Sequence, residues 1–270
     1  KGRLDMSDFN YLSAADLAEA AVKQKAAADG SYLAGGMTLL PAIKLGLNQP
    51  SDLIDLAGIA DLHQVHVDGD NVVVGAMTRH FEVANSDDVN GRIPALADLA
   101  EGIGDPQVRN RGTIGGSIAN NDPAADYPAA CLGLGATIIT DRRQIAADDF
   151  FTGLLETALE DGEIITAVSF PAPEKAAYAK FAHPASRFAL VGVFVSSGSA
   201  GIRVAVTGAG AGGVFRASGM EAALAKDFSA GALDGAGMPE GDMLSDIHAA
   251  ADYRAHLVGV MAGRAVEACA

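Results

Sequence analysis

The chain has 270 residues, 49% of them hydrophobic and 20% charged, with a formal net charge of −15. That is enough for one large domain or two to three small ones, and no apolar run approaches the roughly eighteen residues of a membrane span. The acidic balance argues against nucleic-acid or anionic-membrane binding, which needs clustered Lys and Arg; two cysteines, Cys131 and Cys269, can build neither a disulfide framework nor a Cys-rich metal site and predict reduced, cytoplasmic residence.

The opening KGRLDMSDFNYLSAADLAEAA has no apolar stretch of the signal-peptide kind. Met6-Ser7-Asp8 reads as a natural start, with Lys1 to Asp5 an expression remnant. Ser13 is expected to cap a helix over SAADLAEAAVKQKAAA, with Asp16 as the acidic third residue after it and Asp29-Gly30 as its stop. SYLAGG predicts a short strand ending in glycines, LLPAIKLGL a helix with Pro41 in its first turn, and SDLIDL another strand. Residues 6–57 therefore read as a small α/β unit with parallel pairing. From Leu62 the texture changes: HQVHVDGDNVVVGAMT alternates around Asp68-Gly69, the dipeptide of a tight hairpin. RIPALADLAEGI is helical, GTIGGSIANNDPAAD brings a second glycine pair, AADYPAACLGLGATIIT continues as helix then strand, and EIITAVSFP is a strand ended by Pro171. Residues 58–172 form the second unit. In 173–270, YAKFAHPASRFALVGVFVSS and IRVAVTGAG supply at least two strands, GMEAALAK and IHAAADYRAHLVGVMAGRAVEACA are helical, and DFSAGALDGAGMPEGD is loop, together an α+β cap.

The chemistry concentrates in two Gly-Gly pairs, AGGMTLLPAIKLGL (34–47) and GTIGGSIANNDPAAD (112–126). Glycine admits positive φ and lets a ligand approach the backbone. Each pair is expected to turn the chain so that successive N–H groups face one concavity at a helix start, with Thr38, Thr113 and Ser117 adding hydroxyls. One pair is weak support for phosphate binding; two suit a ligand with two phosphates, such as a dinucleotide. GAGAGG (208–213) fits GxGxxG, but VFRASG after it is no apolar helix, so a sheet-edge turn is expected there. His63 and His66 lie in a stretch that reads as strand, face opposite sides and lack a third ligand. His183 in FAHPASR fits packing as well as function. There is no G-x-S-x-G elbow and no HExxH helix, and no side chain is expected to act as a catalytic group or a metal ligand.

AGGMTLL together with GDPQVRNRGTIGGSIANNDPAADYPA resembles the flavin subunit of the molybdenum hydroxylases, the carbon monoxide dehydrogenase medium-subunit and xanthine dehydrogenase family. The likeness continues through SDLIDLAGIADL, VVVGAMT, GEIITAVSFP, YAKFAHPASRFALVGV and VAVTGAGAGGVFRA, nearly the whole chain. It implies an α+β fold with two α/β-type subdomains of a PCMH-type FAD-binding domain (6–57 and 58–172) and a C-terminal α+β domain (173–270) similar to that of carbon monoxide dehydrogenase flavoproteins. The implied cofactor is non-covalent FAD. Leu33, Ala34, Gly35, Gly36, Met37, Thr38, Leu39 and Leu40 would wrap its pyrophosphate, and Thr113, Gly115, Gly116 and Ser117, with Asn120, would close on it from the other side. Asp126 would hydrogen-bond FAD hydroxyls, Ile103 or Gly104 and Ile165 would border the cofactor, and Lys180 would lie near the flavin ring. Met37 departs from the Asn, His or Asp common there, which removes one polar contact. The implied role is electron transfer, from [2Fe–2S] clusters of a small partner subunit to an external acceptor, with molybdopterin on a large partner subunit and a dimer of heterotrimers as the implied assembly. Two other readings are a stand-alone flavin reductase or oxidase of the same flavin fold and an assembly subunit without cofactor. The substrate would bind the large subunit and is not readable here.

Overall fold

The computed structural model describes residues 8–236, 238 and 240–269, so the expectations about Lys1 to Asp5 and Met6 lie outside the described residues. Three parallel strands, β1 (Asn10–Ser13), β2 (Gly30–Leu33) and β3 (Asp52–Asp55), form a sheet of order β1-β3-β2. Two helices, Leu17–Ala26 and Leu39–Lys44, make the crossovers that parallel pairing demands. Ser13 is the last residue of β1 rather than a helix cap. The cap is Asp16, whose carboxylate accepts from Glu19 N at 2.7 Å, while Glu19 accepts from Ala15 N at 2.7 Å.

β4 (Val65–Asp68) and β5 (Asn71–Gly75) form the expected hairpin, with its two-residue loop at Gly69-Asp70, one residue later than the expected Asp68-Gly69; Gly69 has φ +59°. β6 (Thr137–Thr140) and β7 (Gln144–Ala146) form another, and the short pair β8 (Phe151–Gly153) and β9 (Glu156–Thr157) stands apart. β10 (Ile165–Pro171) then inserts between β5 and β6, giving the order β4-β5-β10-β6-β7. β11 (Lys175–Ala182), β12 (Ala189–Gly198), β13 (Gly201–Thr207) and β14 (Phe215–Arg216) make an antiparallel sheet in sequence order. The segment 208–213 is the expected turn onto the edge strand β14. Gly208, at φ +80°, donates to Pro123 O and accepts from the buried Arg254.

β12 is buried along eight consecutive residues because both of its faces are covered. Val191, Val193 and Val195 pack with Leu257, Val258 and Met261 of the helix Ala251–Ala268. Phe194 points the other way, against the helix Tyr127–Leu134, at Gly133, where a Cβ would lie 2.6 Å from the ring. Every residue of Tyr127–Leu134 is buried, as its all-round apolar sequence requires. That helix ties the second sheet to the third and fixes Asp126, immediately before it, at the junction. Among the described residues no helix is long and apolar enough to cross a membrane.

Candidate functional site

Both glycine segments border one cleft of about 540 Å³, within the usual range for small-molecule sites. The first wall begins where β2 ends. Gly36 holds φ +72°, a left-handed conformation suited to glycine. Leu40 N donates to Gly36 O and Ala42 N to Thr38 O, each at 3.1 Å, so the following helix uses the segment's carbonyls. Its amides stay free: among the described residues no acceptor takes the N–H groups of Gly35, Gly36, Met37 or Thr38. Consecutive free donors of this kind make an anion-binding concavity.

The second wall is built differently. Gly115 and Gly116 form no turn; they lie in the first turn of the helix Ile114–Asn120, capped by Thr113. Its amides are already engaged: Ile114 N to Thr78 O (3.1 Å), Gly115 N to Ala76 O (2.8 Å), Gly116 N to Thr113 Oγ1 (3.2 Å) and Ser117 N to Thr113 O (3.0 Å). The expectation of a second array of free amides is therefore corrected. A Cβ on Gly115 would sit 2.6 Å from Ala76 Cβ, so this glycine lets the helix touch the strand connection beneath it. A Cβ on Gly116 would meet Thr113 Oγ1 at 3.0 Å and Ala34 Cβ at 3.4 Å, which places Gly116 where the walls meet. Gly35 seals the same seam, since a Cβ there would overlap the Arg111 carbonyl and approach Gly112 Cα to 2.8 Å.

Three buried titratable side chains line the cleft. His80 is buried beside Gly112 and tilted against the Tyr127 ring, centroids 5.3 Å apart. Burial and then the nearby Arg109 push its pKa down to about 4, leaving a neutral imidazole. Glu163 is held by Arg143 through two contacts of 2.9 Å and by Thr140 Oγ1 at 2.7 Å, which bring its carboxyl down to about 2 against the cost of burial. Asp126 is buried and lies 2.9 Å from Lys180 Nζ. Burial pushes its carboxyl above the usual range, opposed by the Lys180 ammonium and a hydrogen bond from Tyr178.

With this geometry, the profile of the family described as FAD binding domain in molybdopterin dehydrogenase matches residues 7–173. The chain belongs to that family. It is 35% identical to the carbon monoxide dehydrogenase medium chain of Hydrogenophaga pseudoflava over 276 residues, covering 96% of each chain. It is also 35% identical to the nicotine 6-hydroxylase medium subunit of Paenarthrobacter nicotinovorans, again covering 96% of each. A solved carbon monoxide dehydrogenase from H. pseudoflava that lacks the Mo-pyranopterin moiety superposes with a TM-score of 0.90 at 34% identity over 98% of both chains. Quinoline 2-oxidoreductase from Pseudomonas putida 86 gives 0.88 at 28% identity, also over 98% of both. The PCMH-type α+β fold follows, as does FAD as cofactor. Four free amides, a cleft of suitable size and closely apposed glycine walls are what a pyrophosphate-bearing cofactor needs.

Most, but not all, of the residues singled out from the sequence border this cleft. Ala34 to Leu39, Ile103, Gly104, Thr113, Gly115, Gly116, Ser117, Asn120, Asp126 and Ile165 all line the cleft. Leu33, Leu40 and Lys180 do not; Leu33 is core, Leu40 packs over Gly36, and Lys180 stands behind Asp126 with a second hydrogen bond to Gly102 O at 3.2 Å. Sequence reasoning missed His80 and Glu163 as lining residues, and also Ser186, Arg187 and Phe188. The last three sit in the turn between β11 and β12, organised by His183, whose Nδ1 accepts from Ala185 N and Ser186 N at 3.3 Å. Arg187 takes φ +62° there. The sequence reading took YAKFAHPASRFALVGVFVSS only as a source of strands, and nothing in it showed that residues 186–188 fold onto the cleft. His63 belongs to a 3₁₀ turn, not a strand, and His66 to β4; among the described residues no cluster of three metal-ligating side chains exists.

Proposed function

We propose that the chain binds FAD non-covalently in this cleft and serves as the electron-transfer subunit of a molybdenum-containing hydroxylase. The free N–H groups of Gly35 to Thr38 carry this reading, since they supply donors for a pyrophosphate and are otherwise unsatisfied. Ser117 and Asn120 offer side-chain donors from the opposite wall, Asp126 accepts from a cofactor hydroxyl, and Ile103, Gly104 and Ile165 border the ring system. Bound flavin supplies the redox chemistry, exchanging electrons singly or in pairs.

Electrons arrive from [2Fe–2S] clusters on a small partner subunit and leave to an external acceptor, while a large subunit holds molybdopterin and the substrate. The cysteines support the need for partners. Cys131 and Cys269 are both buried, in different core clusters, and burial raises both thiols, Cys269 to about 11. Neither is a thiolate placed to ligate a cluster. The proposed assembly is a cytoplasmic dimer of heterotrimers.

The test is the visible spectrum of the purified chain after incubation with FAD and desalting. Oxidised-flavin bands in stoichiometric amount are expected, together with co-purification of a cluster-bearing and a molybdopterin-bearing chain from the native host. Colourless protein would overturn the cofactor site. NADH turnover by the chain alone would instead identify a self-sufficient reductase.

A further inference from the structure

Asp126 presents one edge to the cleft and the other to β11. Tyr178 Oη donates to Asp126 Oδ1 at 2.5 Å, and Lys180 Nζ lies 2.9 Å from both carboxylate oxygens. Tyr178 and Lys180 are two residues apart on one strand and so share a face. Neither lines the cleft, whereas Asp126 does. The phenol has little freedom: its ring lies 6.2 Å from that of Phe194, and a Cβ on Gly192 of β12 would overlap its oxygen. Glycine at 192 therefore leaves the space that the hydroxyl needs to reach Asp126.

This arrangement narrows what the cleft side of Asp126 can bind. A carboxylate only accepts, so its partner must be a donor. Paired with Lys180 it is close to electroneutral, so it neither attracts nor repels the pyrophosphate strongly. A ligand hydroxyl satisfies both conditions. We infer that Tyr178 is a positioning residue of the cofactor cleft, holding the Asp126 carboxylate from behind in the orientation in which it accepts a hydrogen bond from an FAD hydroxyl. Burial and the adjacent carboxylate raise the phenol far above its ordinary pKa, which keeps it a donor at working pH. The inference rests on the FAD reading above.

A double-mutant cycle on FAD affinity, measured by fluorescence titration of the FAD-stripped full-length chain, tests it. Tyr178→Phe keeps the ring and removes the hydroxyl, and is expected to weaken binding about tenfold, the usual scale for one hydrogen bond to a charged group. In an Asp126→Asn background the same change should weaken binding less than about twofold, because Tyr178 acts only through Asp126. Losses that multiply, or a Tyr178→Phe affinity equal to wild type, would overturn the inference. If Tyr178→Phe fails to fold, the ring-carbon resonance next to the Tyr178 hydroxyl in labelled wild-type chain replaces it. That resonance should shift when FAD is added, and no shift overturns the assignment. Wild-type chain that takes up no FAD would bring down the cofactor reading itself, a result distinct from flavin-loaded chain indifferent to Tyr178.

Discussion

Gly35-Gly36 and Gly115-Gly116 are the same dipeptide on facing walls of one cleft, and they use their backbones in opposite ways. The first pair opens a left-handed turn and leaves four consecutive amides without acceptors. The second sits in a helix whose amides bond Thr78, Ala76 and Thr113, and what it offers is space: room for Ala76 beneath and for the first wall alongside. A glycine pair in a sequence thus says that a side chain is excluded, but not by what. Here one pair frees donors for a ligand and the other frees volume for the protein.

Substitutions at the seam separate these roles most sharply. Gly35→Val places a branched side chain into the backbone of Arg111 and Gly112, which cannot move without opening the seam. A loss above about 4 kcal/mol is expected, a large part of a domain's stability, seen as a missing cooperative urea transition. A wild-type midpoint would show that the walls do not touch there. Gly116→Val meets only Thr113 Oγ1 and Ala34 Cβ, both at 3.0 Å or more, and otherwise points into the cleft. It should cost about 1–2 kcal/mol of stability, yet weaken FAD binding by about 100-fold or more. A Gly116→Val chain that still purifies yellow would mean the cofactor does not run between the walls.

The contrast between the pairs also marks what sequence reading reaches. Period and turn chemistry located the parallel first sheet, the β4–β5 hairpin to within one residue and the buried helix Tyr127–Leu134, since those signals are local. Family resemblance pointed to the residues of both glycine segments. Neither could show that Gly115 N–H is spent on Ala76 O, a contact between residues far apart in sequence. Ser13 looked like a cap because Ser is a good one; pairing of β1 with β3 claims it first, and Asp16 takes over. The β8–β9 hairpin escaped notice because its turn places Leu155 at φ +58°, a conformation a leucine does not advertise. His80, Glu163 and Phe188 reach the cleft only through tertiary packing.

Acid offers a test that acts on one side of the cleft. Among the described residues no charged group of 8–62 is buried, whereas Glu163 is, paired with Arg143. Its folded pKa of about 2 lies below the ordinary value, so the pair's contribution is complete above about pH 4.3 and is lost as pH falls toward 2. The expected size is about 2 kcal/mol, below the full linkage value because Arg143 is 40% exposed to solvent. Glu163→Gln should lower the urea midpoint at about pH 6 and by roughly half as much at about pH 3; equal losses at both would disprove an ionised pair.

Two milder variants probe the amides themselves. Gly36→Ala pushes an alanine into φ +72°, at a cost of about 1 kcal/mol. Relaxation of the turn should rotate its free N–H groups and weaken FAD binding about tenfold. Thr113→Ala works on the other wall, where it removes the cap on Gly116 N. Loss of a threonine cap costs about 1 kcal/mol, but it also releases one amide. If donors to the pyrophosphate come from the first wall, FAD affinity should change by less than about threefold, since no bond to the ligand is lost. Isothermal titration of the stripped chain decides it: an affinity collapse in Thr113→Ala with stability nearly intact would mean that the second wall grips the cofactor through the Thr113 hydroxyl, and the division of labour between the two glycine pairs would have to be redrawn.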